Sequence, residues 1–448
     1  MSLTVLAAQA VHDNIASRDI ASRDCKKKLP EECLSKINCF SSKKYSPLEM
    51  SIGMVDHSLI ERSLNYLGIK KYPAPDPHFA EHLIDHLDFY HKETELMHYF
   101  KTFGLIGANR LKEIPDDLKS RYLNVRDNEG KTALHWAAEI TGYKIPKILT
   151  QIPKEDIFSF LEQQDNVGNT PLHYLAQRYD SDRLIEIFEL LSTEKKLDLL
   201  KIQNERGDSL IHIAIEHYDL DFLNAAFKDL SQNEKDLLIT LQNNRYFTSL
   251  HHASKTRVNW RLNNDTFPFL LNELSPTLKT KALKMQTDKG KTALHYAAKR
   301  PFGATISHII LQEFLATDSE RNDFIRIPDN KGRTALHFAS TNSGNNHIVN
   351  ILSYVSGDHE KKSQLKIRDT QGKTVLHYAK SPEVIDTILQ TLDDDEKTDF
   401  IKIQDKNRKT ALHHITERSS YQINLAVEKF LEYFSDNQEQ LLIFLKQQ

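Results

Sequence analysis

The segment "GKTALHYAAK" occupies residues 290–299 and decides the fold, because close copies of it return along the chain. The strings "GKTALHWAAE", "GNTPLHYLAQ" and "GRTALHFAST" begin at residues 130, 168 and 332. A histidine inside a short motif is a candidate metal ligand or general base. A catalyst needs one site, however, so a histidine that recurs with the same neighbours indicates a repeated structural unit.

A hydroxyl residue stands three positions before the recurring histidine in every copy. The pairs are Thr132 and His135, Thr170 and His173, Ser209 and His212, Thr248 and His251, Thr292 and His295, Thr334 and His337, Thr374 and His377, and Thr410 and His413. A Ser or Thr at the N-cap of a helix satisfies a free backbone N–H of the first turn. The histidine, at N3, is near enough to bond back to the hydroxyl, and its other nitrogen can reach a neighbouring turn. We therefore predict that these histidines are structural.

A glycine two positions before the hydroxyl residue indicates a tight turn that enters the helix. The glycines are Gly130, Gly168, Gly207, Gly290, Gly332 and Gly372. Tyr246 and Arg408 stand at the equivalent positions of two copies. We expect distorted turns before His251 and His413.

The motif resembles the ankyrin repeat, whose signature is T-P-L-H-x-A on a turn followed by two antiparallel helices. The resemblance covers about residues 121–448. It implies an all-α solenoid in which neighbouring repeats share a core and a concave face binds a protein. Aromatic residues that follow the histidine are expected to pack between repeats: Trp136, Tyr174, Tyr296, Phe338 and Tyr378.

The repeats are longer than the family period of about 33 residues, and the excess follows a rule. A segment such as "STEKKLDLLKIQ" (192–203) precedes each turn and has an aliphatic ninth position. These positions are Leu123, Leu161, Leu200, Ile239, Leu283, Ile325, Leu365 and Ile401. A polar or Pro start followed by charges and an apolar pair is typical of a short capped helix. The sequence therefore predicts an extra short helix in each repeat.

We divide the chain into three parts. Residues 1–44 form a polar segment that we expect to be partly disordered. Residues 45–120 form a helical N-terminal cap region, in which residues 46–68 resemble a degenerate capping repeat. Residues 121–448 hold eight ankyrin repeats and a C-terminal capping helix at residues 435–446.

Three features of the first 120 residues could carry chemistry. His78, His82 and His86 recur every four residues, which on a helix allows two of them to share a metal; a polar flank beside an apolar stripe is the favoured interpretation. Cys25 or Cys33 could be a nucleophile with one of these histidines, or an ordinary free thiol. The segment "LPEECLSKI" (29–37) resembles the start of an F-box, a motif that docks onto a ubiquitin-ligase scaffold. That resemblance implies docking through Leu29, Pro30, Leu34 and Ile37.

Composition excludes several partners. Lys and Arg total 59 against 62 Asp and Glu, which gives a net charge of −3 and no overall basic bias for nucleic acid. No apolar run approaches the roughly 18 residues that span a bilayer. The three cysteines, Cys25, Cys33 and Cys39, contain no C-x-x-C pair, which favours a reducing, cytoplasmic location. We expect a monomer that needs no cofactor or metal.

Cationic residues mark the candidate partner-binding surface. Turn positions carry Lys289, Lys291, Lys331, Arg333, Lys373, Arg408 and Lys409, and the ends of first helices carry Lys255, Arg257, Lys299 and Arg300. If these share the concave side, they form a basic row for an acidic protein surface. The alternative is an ordinary solvated face.

We therefore predict a non-enzymatic protein-interaction scaffold. The alternative is a repeat array that targets a small N-terminal module, either a cysteine or metal hydrolase or an F-box-like recruiter of ubiquitin ligase. The long, diverged repeats with lysine- and asparagine-rich loops also resemble effectors that intracellular bacteria inject into host cells. That resemblance implies host proteins as partners and the host cytosol as the location.

Overall fold

The computed structural model describes residues 119–417 except 121–122, 125, 141–144, 179, 218–219, 256–264, 301–302 and 314–316, together with residues 427–428. The chain divides into two compact units, residues 1–205 and 206–448. Several sequence predictions lie outside the described residues: the segments 1–44 and 46–68, the F-box-like segment 29–37, Cys25, Cys33, Cys39, His78, His82, His86, Arg257 and the capping helix at 435–446.

Every regular element in the described part of the chain is a helix. The first unit contains α1 (Ala133–Ile140), α2 (Ile145–Leu149), α3 (Ile157–Leu161), α4 (Pro171–Gln177), α5 (Ser181–Glu189) and α6 (Thr193–Lys201). The second unit contains α7 (Leu210–Glu216), α8 (Leu220–Phe227), α9 (Gln232–Thr240), α10 (Ser249–Lys255), α11 (Thr266–Glu273), α12 (Pro276–Lys284), α13 (Ala293–Lys299), α14 (Ala304–Glu313), α15 (Asp318–Arg326), α16 (Ala335–Ala339), α17 (Asn346–Ser353), α18 (Asp358–Leu365), α19 (Val375–Tyr378), α20 (Pro382–Gln390), α21 (Asp394–Ile401) and α22 (Ala411–Thr416). The all-α ankyrin-type fold predicted from the repeated motif is confirmed.

The helices come in groups of three: a motif helix, a second helix and a third short helix. In the second unit, motif helix α13 packs against α10 on one side and α16 on the other. Second helix α14 packs against both α13 and α17. Within the second unit, the group of α13, α14 and α15 therefore packs against the groups before and after it, as a stacked repeat requires.

The predicted third helix is present between the second helix and the next turn. Its start in α15 is a capping box, in which the Thr317 N–H donates to Glu320 Oε2 at 3.1 Å and the Glu320 N–H donates to Thr317 Oγ1 at 3.3 Å. Ser231 and Glu234 form the same box at α9. The aliphatic residue at the ninth position is at most 1% exposed in every copy: Leu123, Leu161, Leu200, Ile239, Leu283, Ile325, Leu365 and Ile401. The charged segment is thus anchored by buried side chains, and the one at the ninth position contributes roughly 2 kcal/mol.

The turn before each motif helix needs a left-handed residue. Gly290 has φ 71°, and a Cβ there would lie 2.7 Å from the backbone nitrogen of Asn330 in the next turn. Tyr246 and Arg408 adopt the same conformation, with φ 56° and 60°. The expected distortion is not found: the Tyr246 N–H donates to Asn243 O at 2.8 Å, as the Gly290 N–H donates to the equivalent carbonyl in its own turn at 2.8 Å. The turn's hydrogen bonds therefore outweigh a left-handed strain of about 1 kcal/mol.

Candidate protein-interaction surface

Motif histidines such as His295 link their own helix to the following turn. The Thr292 N–H donates to His295 Nδ1 at 3.1 Å, and Thr292 Oγ1 lies 2.9 Å from the same nitrogen. Because Nδ1 accepts a backbone N–H, the ring proton is on Nε2. Nε2 then donates to the carbonyl of Arg333, 3.1 Å away in the next turn. The ring thus fixes the main chain of a turn whose side chain is a partner-binding candidate.

The same link recurs in both units. Nε2 lies 3.0 Å from Asn169 O for His135, 3.2 Å from Phe247 O for His212, 3.1 Å from Lys291 O for His251, and 3.3 Å from Lys373 O for His337. Burial is the main cause that lowers the pKa of these rings to about 4, and it does so for His135, His212, His251, His295, His337 and His377. At neutral pH they are uncharged and committed to hydrogen bonds, which is unsuited to proton shuttling.

Main-chain hydrogen bonds join successive turns of the second unit. The Asn330 N–H donates to Lys289 O at 3.0 Å, and the Thr370 N–H donates to Lys331 O at 2.9 Å. The Lys406 N–H donates to the carbonyl of residue 371 at 2.8 Å. The turns at residues 288–291, 330–333, 370–373 and 406–409 therefore lie side by side, and we call them the turn row.

A buried carboxylate accepts main-chain hydrogen bonds from each of the last three turns. The sequence analysis did not identify these acids. Asp329, Asp369 and Asp405 are 5 to 7% exposed. Asp369 Oδ1 accepts the backbone N–H groups of residues 371 and 373, both at 2.8 Å. The signal was available, because an Asp, Asn or Thr stands five positions before each hydroxyl residue. These side chains give the turn row a rigid base.

The aromatic residues after the motif histidines also bind these carboxylates. The Tyr378 OH donates to Asp369 Oδ2 at 2.6 Å. In the first unit, the Tyr174 OH donates to Asp165 Oδ2 at 2.6 Å, and Trp136 Nε1–H donates to an equivalent carboxylate at 2.8 Å. Burial and this carboxylate raise the pKa of Tyr174 to about 12. These rings pack against the preceding repeat: Tyr174 lies against His135 with a centroid separation of 6.1 Å.

The cations of the turn row differ in what surrounds them. Lys289, Lys331 and Arg408 are exposed, whereas Lys291, Arg333, Lys373 and Lys409 are half-buried. Arg333 donates from Nη2 and Nε to Asp329 Oδ2 at 2.7 and 3.1 Å. Lys373 Nζ lies 3.9 Å from Asp405 Oδ2, and Lys409 pairs with Glu417.

The cations at the ends of the motif helices do not behave alike. Lys299 is exposed, and Lys255 Nζ lies 3.9 Å from Glu216 Oε1. Arg300 is only 7% exposed, and its Nη1 donates to Ala253 O at 3.4 Å. Arg300 therefore supports the end of the preceding motif helix and is not a surface contact for a partner. Arg257 lies outside the described residues.

Within the described residues, no group of three or more His, Cys, Asp or Glu side chains is arranged to hold a metal ion. No helix in that part of the chain has the length and apolar character needed to cross a bilayer.

Similarity to known proteins extends over part of the chain. Residues 250–364 match a family model described as ankyrin repeats in three copies. No curated protein matches the chain. Solved structures that resemble it include the ankyrin repeat domain of Bcl-3, described as a unique member of the IkappaB protein family, and EF0377, an ankyrin repeat protein.

The structural similarity is distant in both cases. The Bcl-3 domain is 19% identical with a TM-score of 0.40, and the match covers 59% of this chain and 100% of that one. EF0377 is 17% identical with a TM-score of 0.35, and the match covers 47% of this chain and 96% of that one. The presence of ankyrin repeats therefore rests on the family match and on the turn geometry. Ankyrin repeats imply a protein partner.

Proposed function

We propose that this protein is a protein-interaction scaffold whose turn row binds an acidic surface of a protein partner. The observation that carries the proposal is the arrangement of the turn at residues 330–333. Its main chain is bonded to the next turn, to His295 and to Asp329, while the side chain of Lys331 is exposed. A rigid main chain lowers the entropy that ordering the binding groups would cost.

The exposed cations are the best test of the proposal. Lys289, Lys331 and Arg408 form no ion pair within the described residues, so reversing them leaves no buried carboxylate without its partner. Arg333 is a poor choice, because a Glu there would face the buried Asp329. We expect the Lys289→Glu, Lys331→Glu, Arg408→Glu variant to keep its helical circular dichroism and to lose partner binding.

The experiment is affinity capture from a eukaryotic cell lysate with the full chain. Its matched control reverses three exposed lysines away from the turn row: Lys228→Glu, Lys281→Glu and Lys284→Glu. Proteins held by the wild type and by the control, but not by the turn-row variant, would support the proposal. Their capture should also weaken as salt is raised, because exposed charges are screened within about 8–10 Å at physiological ionic strength. Equal capture by a folded turn-row variant would contradict it.

Several finer interpretations of the sequence stay predictions. They are the count of eight repeats, the cytoplasmic location, the monomeric state and the role as a secreted effector. The alternative N-terminal module, catalytic or F-box-like, stays a prediction too and lies outside the described residues.

A further inference from the structure

Two turns of the chain enclose a lysine ammonium between two aromatic rings. In the first unit, Lys131 Nζ lies 4.4 Å from the centroid of Trp136 and 5.0 Å from that of Tyr174. Two carboxylates complete this site, with Glu129 Oε2 at 2.9 Å and Glu139 Oε2 at 2.8 Å. Although burial opposes it, these ion pairs hold the pKa of Lys131 above its ordinary value. The charge is fully compensated within the chain.

Lys291 occupies the equivalent place in the second unit. Its Nζ lies 5.4 Å from the centroid of Tyr296 and 4.5 Å from that of Phe338. The rings come from the same positions as at Lys131, one after the histidine of the same repeat and one after the histidine of the next. The two lysines therefore share their aromatic surroundings.

Around Lys291, lysines stand at the positions that the two acids occupy around Lys131. Lys289 stands where the Lys131 turn has Glu129, and Lys299 stands where its motif helix has Glu139. No ion pair joins Lys291 Nζ to a carboxylate within the described residues. Both replacing lysines lie in the field of the Lys291 ammonium and disfavour its charge.

The nearest acid is already engaged. Asp329 binds the Arg333 guanidinium through Oδ2 and backbone N–H groups through Oδ1. Arg333 also lies over Phe338, with its guanidinium carbon 4.5 Å from the ring centroid. Burial and then Arg333 lower the pKa of Lys291 to about 8. Within the described residues, this half-buried cation lies among aromatic rings and other cations and forms no ion pair with a carboxylate.

We propose that Lys289, Lys291 and Lys299 form a binding site for the carboxylate side chains of a glutamate-rich segment in the partner protein. The site at Lys131 shows what the missing groups are: two carboxylates at direct ion-pair distance from one ammonium. A Glu from the partner between Lys291 and Lys299 takes the place that Glu139 holds in the first unit. This inference rests on the proposed function and identifies the chemistry of its central contact.

The site favours a carboxylate over a nucleic acid. A polyphosphate chain needs a succession of cations that are free of neighbouring acids. Asp329 and Asp405 lie at the base of this turn row, and the chain as a whole has a net charge of −3. A peptide can place single carboxylates between these acids, whereas a continuous phosphate backbone would approach them.

The test measures binding of fluorescein-labelled hexaglutamate to the full chain by fluorescence anisotropy. The variant Lys289→Glu, Lys299→Glu restores at Lys291 the acids found at Lys131. Without the contacts of Lys289 and Lys299 to the peptide carboxylates, binding should weaken at least about tenfold, which corresponds to about 1.4 kcal/mol. The control Lys228→Glu, Lys281→Glu makes the same change of net charge on exposed positions outside the turn row and should bind as the wild type does.

A second pair of measurements separates a binding site from a structural effect. Lysine-selective NMR titration should find that the pKa of Lys291 rises when hexaglutamate is added, and rises in the Lys289→Glu, Lys299→Glu variant without peptide. The reciprocal variant Glu129→Lys, Glu139→Lys should create hexaglutamate binding at Lys131.

The outcomes divide cleanly. Equal binding by the wild type and the Lys289→Glu, Lys299→Glu variant overturns the inference, as does tighter binding of a labelled oligothymidylate of equal charge. If the wild type does not bind hexaglutamate while lysate capture still depends on Lys331 and Arg408, the carboxylate site is wrong and the scaffold function stands. If the wild type does not bind hexaglutamate and lysate capture does not depend on Lys331 and Arg408, both the carboxylate site and the proposed function are refuted.

Discussion

Acidification should destabilise this protein between about pH 6.5 and pH 4, where its buried histidines resist protonation. The motif histidines have a folded pKa of about 4 against an ordinary value of 6.5. Between these values the unfolded chain binds protons that the folded chain does not. The stabilisation is therefore complete above about pH 6.5 and is lost progressively as the pH falls towards 4.

The size of the effect follows from the shift. A change of one pKa unit corresponds to about 1.4 kcal/mol, so each such histidine contributes roughly 3 kcal/mol across the window. The second unit contains five of them: His212, His251, His295, His337 and His377. If that unit unfolds in one step, the sum is on the order of 10 kcal/mol, which is comparable to the whole stability of a typical domain. We expect unfolding before the pH reaches about 4.

The assay is urea unfolding followed by circular dichroism at a series of pH values from about 7.5 to about 4.5. His295→Gln should lower stability at neutral pH, because it disturbs the links to Thr292 and Arg333. It should also reduce the pH slope in the middle of the window by about 1.4 kcal/mol per pH unit.

The buried carboxylates of Asp329 and Asp405 act at lower pH than the histidines. The pKa values of Asp329 and Asp405 lie below 3.8, so their stabilisation is lost only at still lower pH. A stability that stays flat between about pH 7 and pH 5, or a His295→Gln slope equal to that of the wild type, would refute the structural account of the histidines.

Three substitutions should change stability in opposite directions, each measured by urea unfolding at neutral pH. Tyr246→Gly should stabilise by about 1 kcal/mol, because it relieves a left-handed residue at φ 56°; a destabilised variant would show that the exposed ring contributes more than the strain. Gly290→Ala should destabilise by roughly 2 kcal/mol or more, since φ is 71° and the added Cβ would meet Asn330 N at 2.7 Å. Gly344→Ala is its control, with no atom within 4 Å of the added Cβ, and equal effects at the two glycines would contradict the turn geometry. Lys291→Met should stabilise by about 1 kcal/mol while weakening hexaglutamate binding, because it removes a poorly compensated cation; a loss of stability would mean that an internal acid reaches Lys291.

Local patterns predicted the repeated unit well, because its decisive contacts are short-range. A hydroxyl residue followed three positions later by a hydrogen-bonding side chain is typical of a capping box at the start of a helix, so the sequence alone indicates the geometry around Thr292. The third helix has the same origin: Thr317 and Glu320 form its cap, and Ile325 anchors its end. These interactions depend on spacing and hardly on the rest of the chain.

The properties of the turn row were harder to predict, because they depend on neighbours that are distant in sequence. The distortion expected at Tyr246 was wrong, since the turn's hydrogen bonds decide the conformation. Arg300 follows an exposed lysine in sequence yet is buried, because Ala253 in the preceding repeat offers it an acceptor. The charge state around Lys291 depends on Lys299, eight positions later, and on Phe338 in the next repeat.

The main-chain bonds between turns, such as Asn330 N–H to the carbonyl of Lys289, use no side-chain atom at the proposed recognition positions. Substitution at positions such as Lys289 or Lys331 can therefore alter what is recognised without altering the distance between contacts. Evolution can revise such a protein one contact at a time, and duplication of a repeat adds a contact at a spacing already established. The exchange of Glu129 and Glu139 for Lys289 and Lys299 at equivalent positions is the kind of change that this architecture tolerates.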